Sequence, residues 1–180
     1  MNETILDNLK VIKPEDTLYF LGDFLFGPDK PENFKKFWAR INTTKIVYCE
    51  GNHCYDWFRK KNNIKEVEKI VGKVHQVWEG EIDGHNFWLS HYRPEEYYSR
   101  ENPHKISRTR ERREENFGNS SYVRKPNVLH LWGHEHAGKP DNPNQLGLEI
   151  GIDTEWYGHK RYTPYHLDEI LYIMKTYKKL

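Results

Sequence analysis

The sequence predicts a single domain of the mixed α/β class, and three observations lead to this prediction. The chain has 180 residues, which is the length of about one domain. Helical and strand patterns alternate along its first half, whereas its second half is mostly strands with hairpin signals. Aromatic residues make up 14% of the chain, which is too many for a disordered polypeptide. We therefore expect one folded domain over 1–180.

The first half of the chain alternates between helical and strand patterns. Apolar residues at helical spacing predict amphipathic helices. In the first of them, Asn2 can cap the N-terminus and Pro14 can end the helix. Short, uninterrupted apolar runs predict buried strands. The predicted helices are 2–12, 31–42, 55–61 and Ile64–Val71, and the predicted strands are 17–21 and Lys45–Cys49.

The second half is predicted to be richer in strands. Asp83-Gly84 is typical of a two-residue hairpin turn between two strands. A charged insertion over about 93–126 shows no strand or amphipathic period and contains six Lys or Arg residues between Arg100 and Arg113. We expect an exposed loop or a polar helix there. The predicted strands are 74–82, 86–90, Val128–Trp132 and 145–153, and the last predicted helix is 167–178.

Composition excludes several classes of protein. The net charge of +1 gives no basic field that would indicate nucleic-acid binding. No apolar run approaches the roughly 20 residues of a membrane span, and the first residues lack the pattern of a signal peptide. Two cysteines suit a reducing compartment. We expect a cytoplasmic protein that has no membrane partner.

Four apolar strands are each followed by residues that can bind a metal, and this is the most informative feature of the sequence. Ligand sites in α/β sheets lie at the carboxyl ends of the strands. Each residue alone is more often structural, as a turn cap or a buried histidine, but their joint occurrence in this order favours a metal site. We expect the glycines before Asp23, Asn52 and His134 to allow sharp turns. The residues are Asp23, Asn52-His53, His91, and the pair His134 and His136.

The spacing of the last two histidines leaves two arrangements open. On an extended segment, His134 and His136 would share one face, whereas on a turn they could reach two different metals. Aspartate, asparagine and histidine ligands together suit Mn, Fe, Zn or Ni at a hydrolytic centre.

Taken together, these residues resemble the calcineurin-like metallophosphoesterases, and most closely the small single-domain bacterial and phage members. The resemblance implies a β-sandwich of two mixed sheets flanked by helices. The matching segments are Gly22-Asp23, Gly51-Asn52-His53, His91 and Gly133-His134-Glu135-His136.

The resemblance also implies a role for each site residue. Asp23 would bridge two metals, and His53 would contact the phosphate and assist the leaving group as the catalytic residue. The cofactors would be divalent ions, with Mn²⁺ expected first and Fe, Zn or Ni as alternatives. The family binds two ions, and one or two are expected here. Asn52, His91 and His134 would complete one metal site, and His136 would belong to the other.

The chain departs from the family pattern at its beginning. The family's first motif, Asp-x-His on the first strand, is absent, so that strand is expected to be missing and the domain to be N-terminally incomplete. A true start farther upstream, a split or decayed gene, or a fold that pairs its open edge with another chain would each account for this. The second metal site then retains only Asp23 and His136.

The expected function is a metal-dependent phosphoesterase that hydrolyses phosphomonoesters or phosphodiesters with a metal-activated water. The alternatives are an impaired or non-catalytic binding module of the same fold and an N-terminally truncated enzyme. A phosphorylated small molecule or a nucleotide is the expected substrate. Nucleic acid is not indicated by the sequence, and a homo-oligomer stays open.

Overall fold

The structure is a computed structural model that describes residues 2–24, 30–51, 53, 63–94, 127–136 and 146–177. Within these ranges the chain forms a mixed α/β architecture with two sheets and surrounding helices, which confirms the predicted fold class at this level. The predicted helix over 55–61 lies outside the described residues. So does the charged insertion from 95 to 126, whereas Arg93 and Pro94 are described.

Four α-helices and seven strands are seen in the described ranges. None of these helices combines the length and the apolar character that crossing a lipid bilayer requires. The helices are α1 (Asn2–Asn8, continued by a 3-10 turn at Leu9–Val11), α2 (Lys30–Trp38), α3 (Ile64–Val71) and α4 (Leu167–Tyr177). The strands are β1 (Thr17–Phe20), β2 (Lys45–Cys49), β3 (Val74–His75), β4 (Val77–Ile82), β5 (His85–Ser90), β6 (Val128–Trp132) and β7 (Gly147–Glu149).

The first sheet has three parallel strands in the order β1-β2-β3. Parallel neighbours need a crossover connection, and helices α2 and α3 lie within the two crossovers of this sheet. Phe20 pairs with Tyr48, which in turn pairs with Val74, so the carboxyl ends of β1 and β2 lie side by side. Among the described residues, no strand pairs with the outer edge of β1.

The second sheet has four strands in the order β4-β5-β6-β7. Strands β4 and β5 form an antiparallel hairpin around Asp83-Gly84, whose φ angles of 48° and 76° are those of the predicted turn. Strands β5, β6 and β7 run parallel to one another. Consequently, the carboxyl ends of β5 and β6 also lie side by side, as those of β1 and β2 do in the other sheet.

The structure divides the predicted strand 74–82 in two. Val74–His75 pairs in the first sheet and Val77–Ile82 pairs in the second, with the chain crossing between the sheets at Gln76. No proline or glycine marks this crossing, and local sequence patterns carry no information about which sheet accepts each half. The predicted strand 145–153 is also too long, because the chain turns at Gly151, where its carbonyl accepts a hydrogen bond from the Thr154 amide.

Two apolar clusters stabilise the fold, one for each sheet. The first lies between the second sheet and α4, and the second packs α2 and α3 onto the first sheet. The second cluster is largely aromatic: Phe20 stacks on Tyr48 with ring centroids 5.3 Å apart, and Phe34 is 1% exposed. The sheets contact each other where the Cys49 thiol donates to the Leu89 carbonyl. Burial raises the pKa of Cys49 to about 12, so this thiol stays neutral at physiological pH.

Truncation of Phe34 to alanine is expected to lower the free energy of unfolding by about 3–5 kcal/mol, because it opens a cavity within a closely packed aromatic cluster. Denaturant titration followed by tryptophan fluorescence measures this change. Val11→Ala serves as the control, since Val11 is exposed and its truncation should change the free energy by no more than about 0.5 kcal/mol. Equal effects of the two substitutions would contradict the assignment of Phe34 to the core.

Candidate metal centre

The loop after β1 carries Asp23 into a crowded position between the two sheets. Gly22 has φ of +90°, and a Cβ there would lie 2.7 Å from the Gly51 nitrogen and 2.9 Å from His91 Nδ1. Asp23 itself has φ of 53°, a left-handed conformation that aspartate adopts more readily than most residues. A Cβ at Gly51 would lie 2.1 Å from Asp23 Oδ1. Glycine is therefore needed at both positions for the carboxylate to sit where it does.

The Asp23 carboxylate is held by contacts to both of its oxygens. The His53 backbone N–H donates to Oδ1 at 2.9 Å. His91 Nε2 lies 3.1 Å from Oδ2, and His53 Nε2 lies 3.9 Å from the same oxygen. Burial alone would raise the pKa of Asp23, but the hydrogen bond and charge of His91 and the contacts of His53 outweigh it and hold the pKa below its usual range. The group is a carboxylate at neutral pH.

His91 is oriented by the same loop that carries Asp23. Its Nδ1 lies 2.8 Å from the Leu21 carbonyl oxygen and its side chain is 1% exposed. Because a carbonyl oxygen only accepts hydrogen bonds, Nδ1 must carry the hydrogen and donate it. The other ring nitrogen, Nε2, lies 3.1 Å from Asp23 Oδ2 and 3.0 Å from His134 Nδ1, so it donates a hydrogen to a neighbour when protonated and offers an electron pair to a cation when not.

His134 completes a group of three electron-pair donors. Burial, assisted by the neighbouring charge of His91, lowers the pKa of His134 to about 4, so its imidazole is neutral at neutral pH. The ligand atoms of Asp23, His91 and His134 all lie within 4.8 Å of one another. Two imidazole nitrogens and one carboxylate oxygen form a donor set that suits Mn²⁺, Fe²⁺ or Zn²⁺. Metal-binding histidines commonly donate their other ring N–H to a backbone carbonyl, as His91 does.

His136 takes a different direction from His134, although only one residue separates them. It lies on the turn after β6 with φ of 50°, and its Nδ1 is 2.8 Å from Asp153 Oδ2. Its side chain is 69% exposed. The segment is thus a turn and not an extended strand, which decides between the two arrangements that the spacing had left open.

A partly buried ion pair joins the loops after β5 and β6. Arg93 Nη2 lies 2.7 Å from Glu135 Oε2, and the Trp132 indole N–H donates to that same oxygen at 3.2 Å. The Arg93 guanidinium lies 5.1 Å from the centre of the Trp132 ring. Arg93 is two residues after His91, and Glu135 directly follows His134. The pair therefore fixes the separation of these two histidine-bearing loops.

The aromatic ring of Tyr92 packs against the same two histidines. Its centroid is 4.9 Å from the imidazole centroids of both His91 and His134. Tyr92 is half-buried, so it covers one side of the two rings and limits their rotation.

The structure brings together three of the predicted site residues, Asp23, His91 and His134, and places His53 beside them. His136 lies apart from this group, on Asp153. Asn52 lies outside the described residues, so its expected ligand role stays a prediction. The expectation of a sharp turn holds at Gly22. At Gly133 φ is not left-handed and a Cβ would make ordinary contacts at 3.6 Å, so the backbone there does not require glycine.

Sequence reasoning did not find the residues that support the ligands. Arg93 and Glu135 stand next to predicted ligands, but nothing in the sequence pairs them across 42 positions. Asp153 follows an apolar strand, as the other candidate residues do, and this position is the feature of the sequence that could have marked it as a site residue. Tyr92 adjoins His91 in the sequence, yet its contact with His134 depends on the parallel pairing of β5 with β6.

Comparisons with known proteins describe the fold and name no activity. No family model matches this chain. An uncharacterized protein of Methanocaldococcus jannaschii is 24% identical over 184 residues, which cover 99% of this chain and 77% of that protein. The crystal structure of a protein of unknown function from Aquifex aeolicus is similar with a TM-score of 0.55 and 25% identity, covering 95% of this chain and 83% of that one.

Gly51→Ala is expected to displace the Asp23 carboxylate, because the new methyl group would overlap Oδ1. Calorimetric titration with Mn²⁺ should then show affinity at least about tenfold lower than in the unchanged protein, because changes to the groups that orient metal ligands typically have effects of this size. Gly133→Ala is the matched control, since its methyl group has room and it also lies at a strand end. Equal Mn²⁺ affinity in the two variants would contradict the close approach of Gly51 to Asp23.

Proposed function

We propose that this chain is a metal-dependent phosphoesterase of the calcineurin-like metallophosphoesterase type. The observation that carries the proposal is the convergence of Asp23, His91 and His134 at the carboxyl ends of β1, β5 and β6. The two-sheet architecture is compatible with the sandwich of that family. The order of the motifs along the chain adds support that no single motif would give.

The chemistry of the three donors favours a cation at this position. Asp23 is ionised and His134 is neutral at neutral pH, so both can offer an electron pair to a cation without first losing a proton, and both lie beside His91 Nε2. A single proton on Nε2 can satisfy one of these neighbours well, whereas a divalent cation attracts all three donors at once. Nitrogen and carboxylate oxygen ligands together leave Mn²⁺, Fe²⁺ and Zn²⁺ as suitable ions, and we place Mn²⁺ first.

The residues of the chain would divide the work of phosphoester hydrolysis between them. A divalent cation supplies Lewis acidity, which acidifies a water and offsets charge on the phosphoryl oxygens. The His53 side chain is 40% exposed and its Nε2 lies 3.9 Å from Asp23 Oδ2, so it can reach both the site and a substrate. We assign His53 the transfer of a proton to the leaving oxygen as the phosphorus–oxygen ester bond breaks.

The remaining ligands belong to the proposal by their motif positions. Asn52 would add an amide oxygen to the group of three donors. His136, together with Asp23, would serve a second cation. A phosphorylated small molecule or a nucleotide is the proposed substrate class, as a monoester or a diester.

His134→Ala is expected to abolish Mn²⁺ binding at the group of three donors and, with it, hydrolysis of an aryl phosphodiester and an aryl phosphomonoester. The physical reason is that two donors hold a divalent ion far less tightly than three in this geometry. Metal content after dialysis and product release from the two esters are measured on the same preparation.

The control is His166→Ala, because His166 is 78% exposed, and its side chain pairs with Asp168 on the surface. This variant should keep both metal and activity, and loss of activity in identically purified His134→Ala excludes a contaminating phosphatase. Full Mn²⁺ occupancy in His134→Ala would contradict the ligand assignment. Bound metal without turnover in the unchanged protein would favour the non-catalytic binding module.

His53→Ala is expected to separate turnover from metal binding. Loss of general acid catalysis should lower kcat by about 10²–10⁴-fold. Metal content should stay at its original value, because the His53 contact with Asp23 Oδ1 comes from the backbone N–H and is kept in the variant. An unchanged kcat would remove His53 from the catalytic role, whereas joint loss of metal and activity would make it a structural residue of the site.

A further inference from the structure

We propose that Asp153 is a positioning residue for His136: it fixes the orientation of the imidazole and holds it in the Nδ1–H tautomer, which would leave Nε2 as the atom able to bind a cation. The role of His136 as a ligand rests on the proposed function, whereas the tautomer and orientation of its ring do not. Asp153 belongs to the segment after β7, which contributes no other residue to the site proposed above.

The first argument is the geometry of the pair. His136 Nδ1 lies 2.8 Å from Asp153 Oδ2, which is a short, charge-assisted hydrogen-bond distance. An ionised carboxylate only accepts hydrogen bonds, so Nδ1 must carry the hydrogen. The partner of one ring nitrogen decides what the other can do, and Nε2 is thereby left to present an electron pair.

The second argument is that His136 needs external support. Its side chain is 69% exposed and its backbone has φ of 50°, beyond the end of β6. His134, in contrast, is held between His91 and the ring of Tyr92. An exposed imidazole on a turn samples several rotamers, and each binding event would have to overcome that entropy.

The third argument is that Asp153 is itself well fixed. Its side chain is 24% exposed, and its Oδ1 lies so near Gly151 that a Cβ there would be 3.1 Å away. Backbone hydrogen bonds close the chain on both sides: the Thr154 amide donates to the Gly151 carbonyl, and the Tyr162 amide donates to the Ile152 carbonyl at 2.7 Å. The backbone that carries the Asp153 carboxylate is therefore held in place.

The segment after Asp153 is tied to the C-terminal helix, which extends this rigidity to the core. His159 Nδ1 lies 2.8 Å from Glu169 Oε1 on α4, and the His159 ring stacks on Tyr165 with centroids 3.5 Å apart. The Tyr165 hydroxyl in turn lies 2.7 Å from Thr154 Oγ1. Since Thr154 directly follows Asp153, this network connects Asp153, and through it His136, to α4.

The tautomer is tested directly by NMR on the metal-free protein. Long-range ¹H–¹⁵N spectra of the imidazoles, with the His136 signals identified by their loss in His136→Gln, should show Nδ1–H in the unchanged protein. In Asp153→Ala the signals should move to the Nε2–H form or to an exchange average. Asp153→Asn should retain Nδ1–H, because its amide oxygen still accepts the hydrogen bond.

A matched control removes a carboxylate from another aspartate–histidine pair. Asp168 and His166 lie 3.4 Å apart, and both are more than three-quarters exposed. Asp168→Ala should leave the His136 signals unchanged. Nδ1–H retained at His136 in Asp153→Ala, folded by the criterion of its thermal unfolding, would overturn the proposal. If Asp153→Ala does not fold, Asp153→Ser supplies the same comparison, since its short hydroxyl cannot reach His136 as the carboxylate does.

Mn²⁺ titration then tests the consequence for binding. The binding step that disappears in His136→Gln should weaken about 10–100-fold in Asp153→Ala, and Asp153→Asn should recover part of the loss. The step that depends on His134 should be unchanged. An unaltered His136-dependent step in Asp153→Ala would overturn the positioning role. Absence of any Mn²⁺ binding in the unchanged protein would instead contradict the proposed function, and the NMR result would still decide the tautomer.

Discussion

The structure is organised around one close contact, in which the carboxylate of Asp23 and the imidazoles of His91 and His134 bring their ligand atoms within 4.8 Å of one another. The three donors come from three strand ends and two sheets, so their approach cannot be an accident of one local turn. Glycine at 22 and 51 removes the side chains that would keep the strand ends apart. The fold therefore needs glycine at two positions so that the three side chains can meet.

A small number of contacts in the rest of the chain hold these three side chains in place. Asp23 and His136 both have left-handed backbone conformations, which persist only where surrounding structure fixes them. The Arg93–Glu135 pair holds two of the loops together, and the strands β5 and β6 that lead into these loops are largely buried. Breaking such a pair leaves an unpaired buried charge, so positioning of the donors and stability of the loops depend on the same contacts.

Local sequence patterns predicted those parts of the fold that local interactions determine. The strands Lys45–Cys49 and Val128–Trp132 and the helix Ile64–Val71 have the predicted bounds, since the strands are short apolar runs and the helix has apolar residues at helical spacing. The prediction of one continuous strand over 74–82 was wrong, because pairing with one sheet or the other depends on partners that are distant in the sequence. The same reason explains which site residues could be predicted. Asp23 and His134 follow predicted strands, whereas the proposed role of Asp153 depends on a segment after another strand that brings it to His136.

Stability and binding will be linked in any experiment on this centre. A cation that binds only the folded chain stabilises it by about 2.7 kcal/mol when its concentration is 100 times Kd. A substitution that weakens binding thus lowers the apparent unfolding temperature in the presence of metal even when it harms no packing contact. Comparison of each variant with and without metal separates the two effects: a loss that vanishes in chelator belongs to the donors, and a loss that persists belongs to the fold. Because the Asp153–His136 hydrogen bond lies on the surface and the Arg93–Glu135 pair is largely buried, the first should show mainly in the metal-bound state and the second in both.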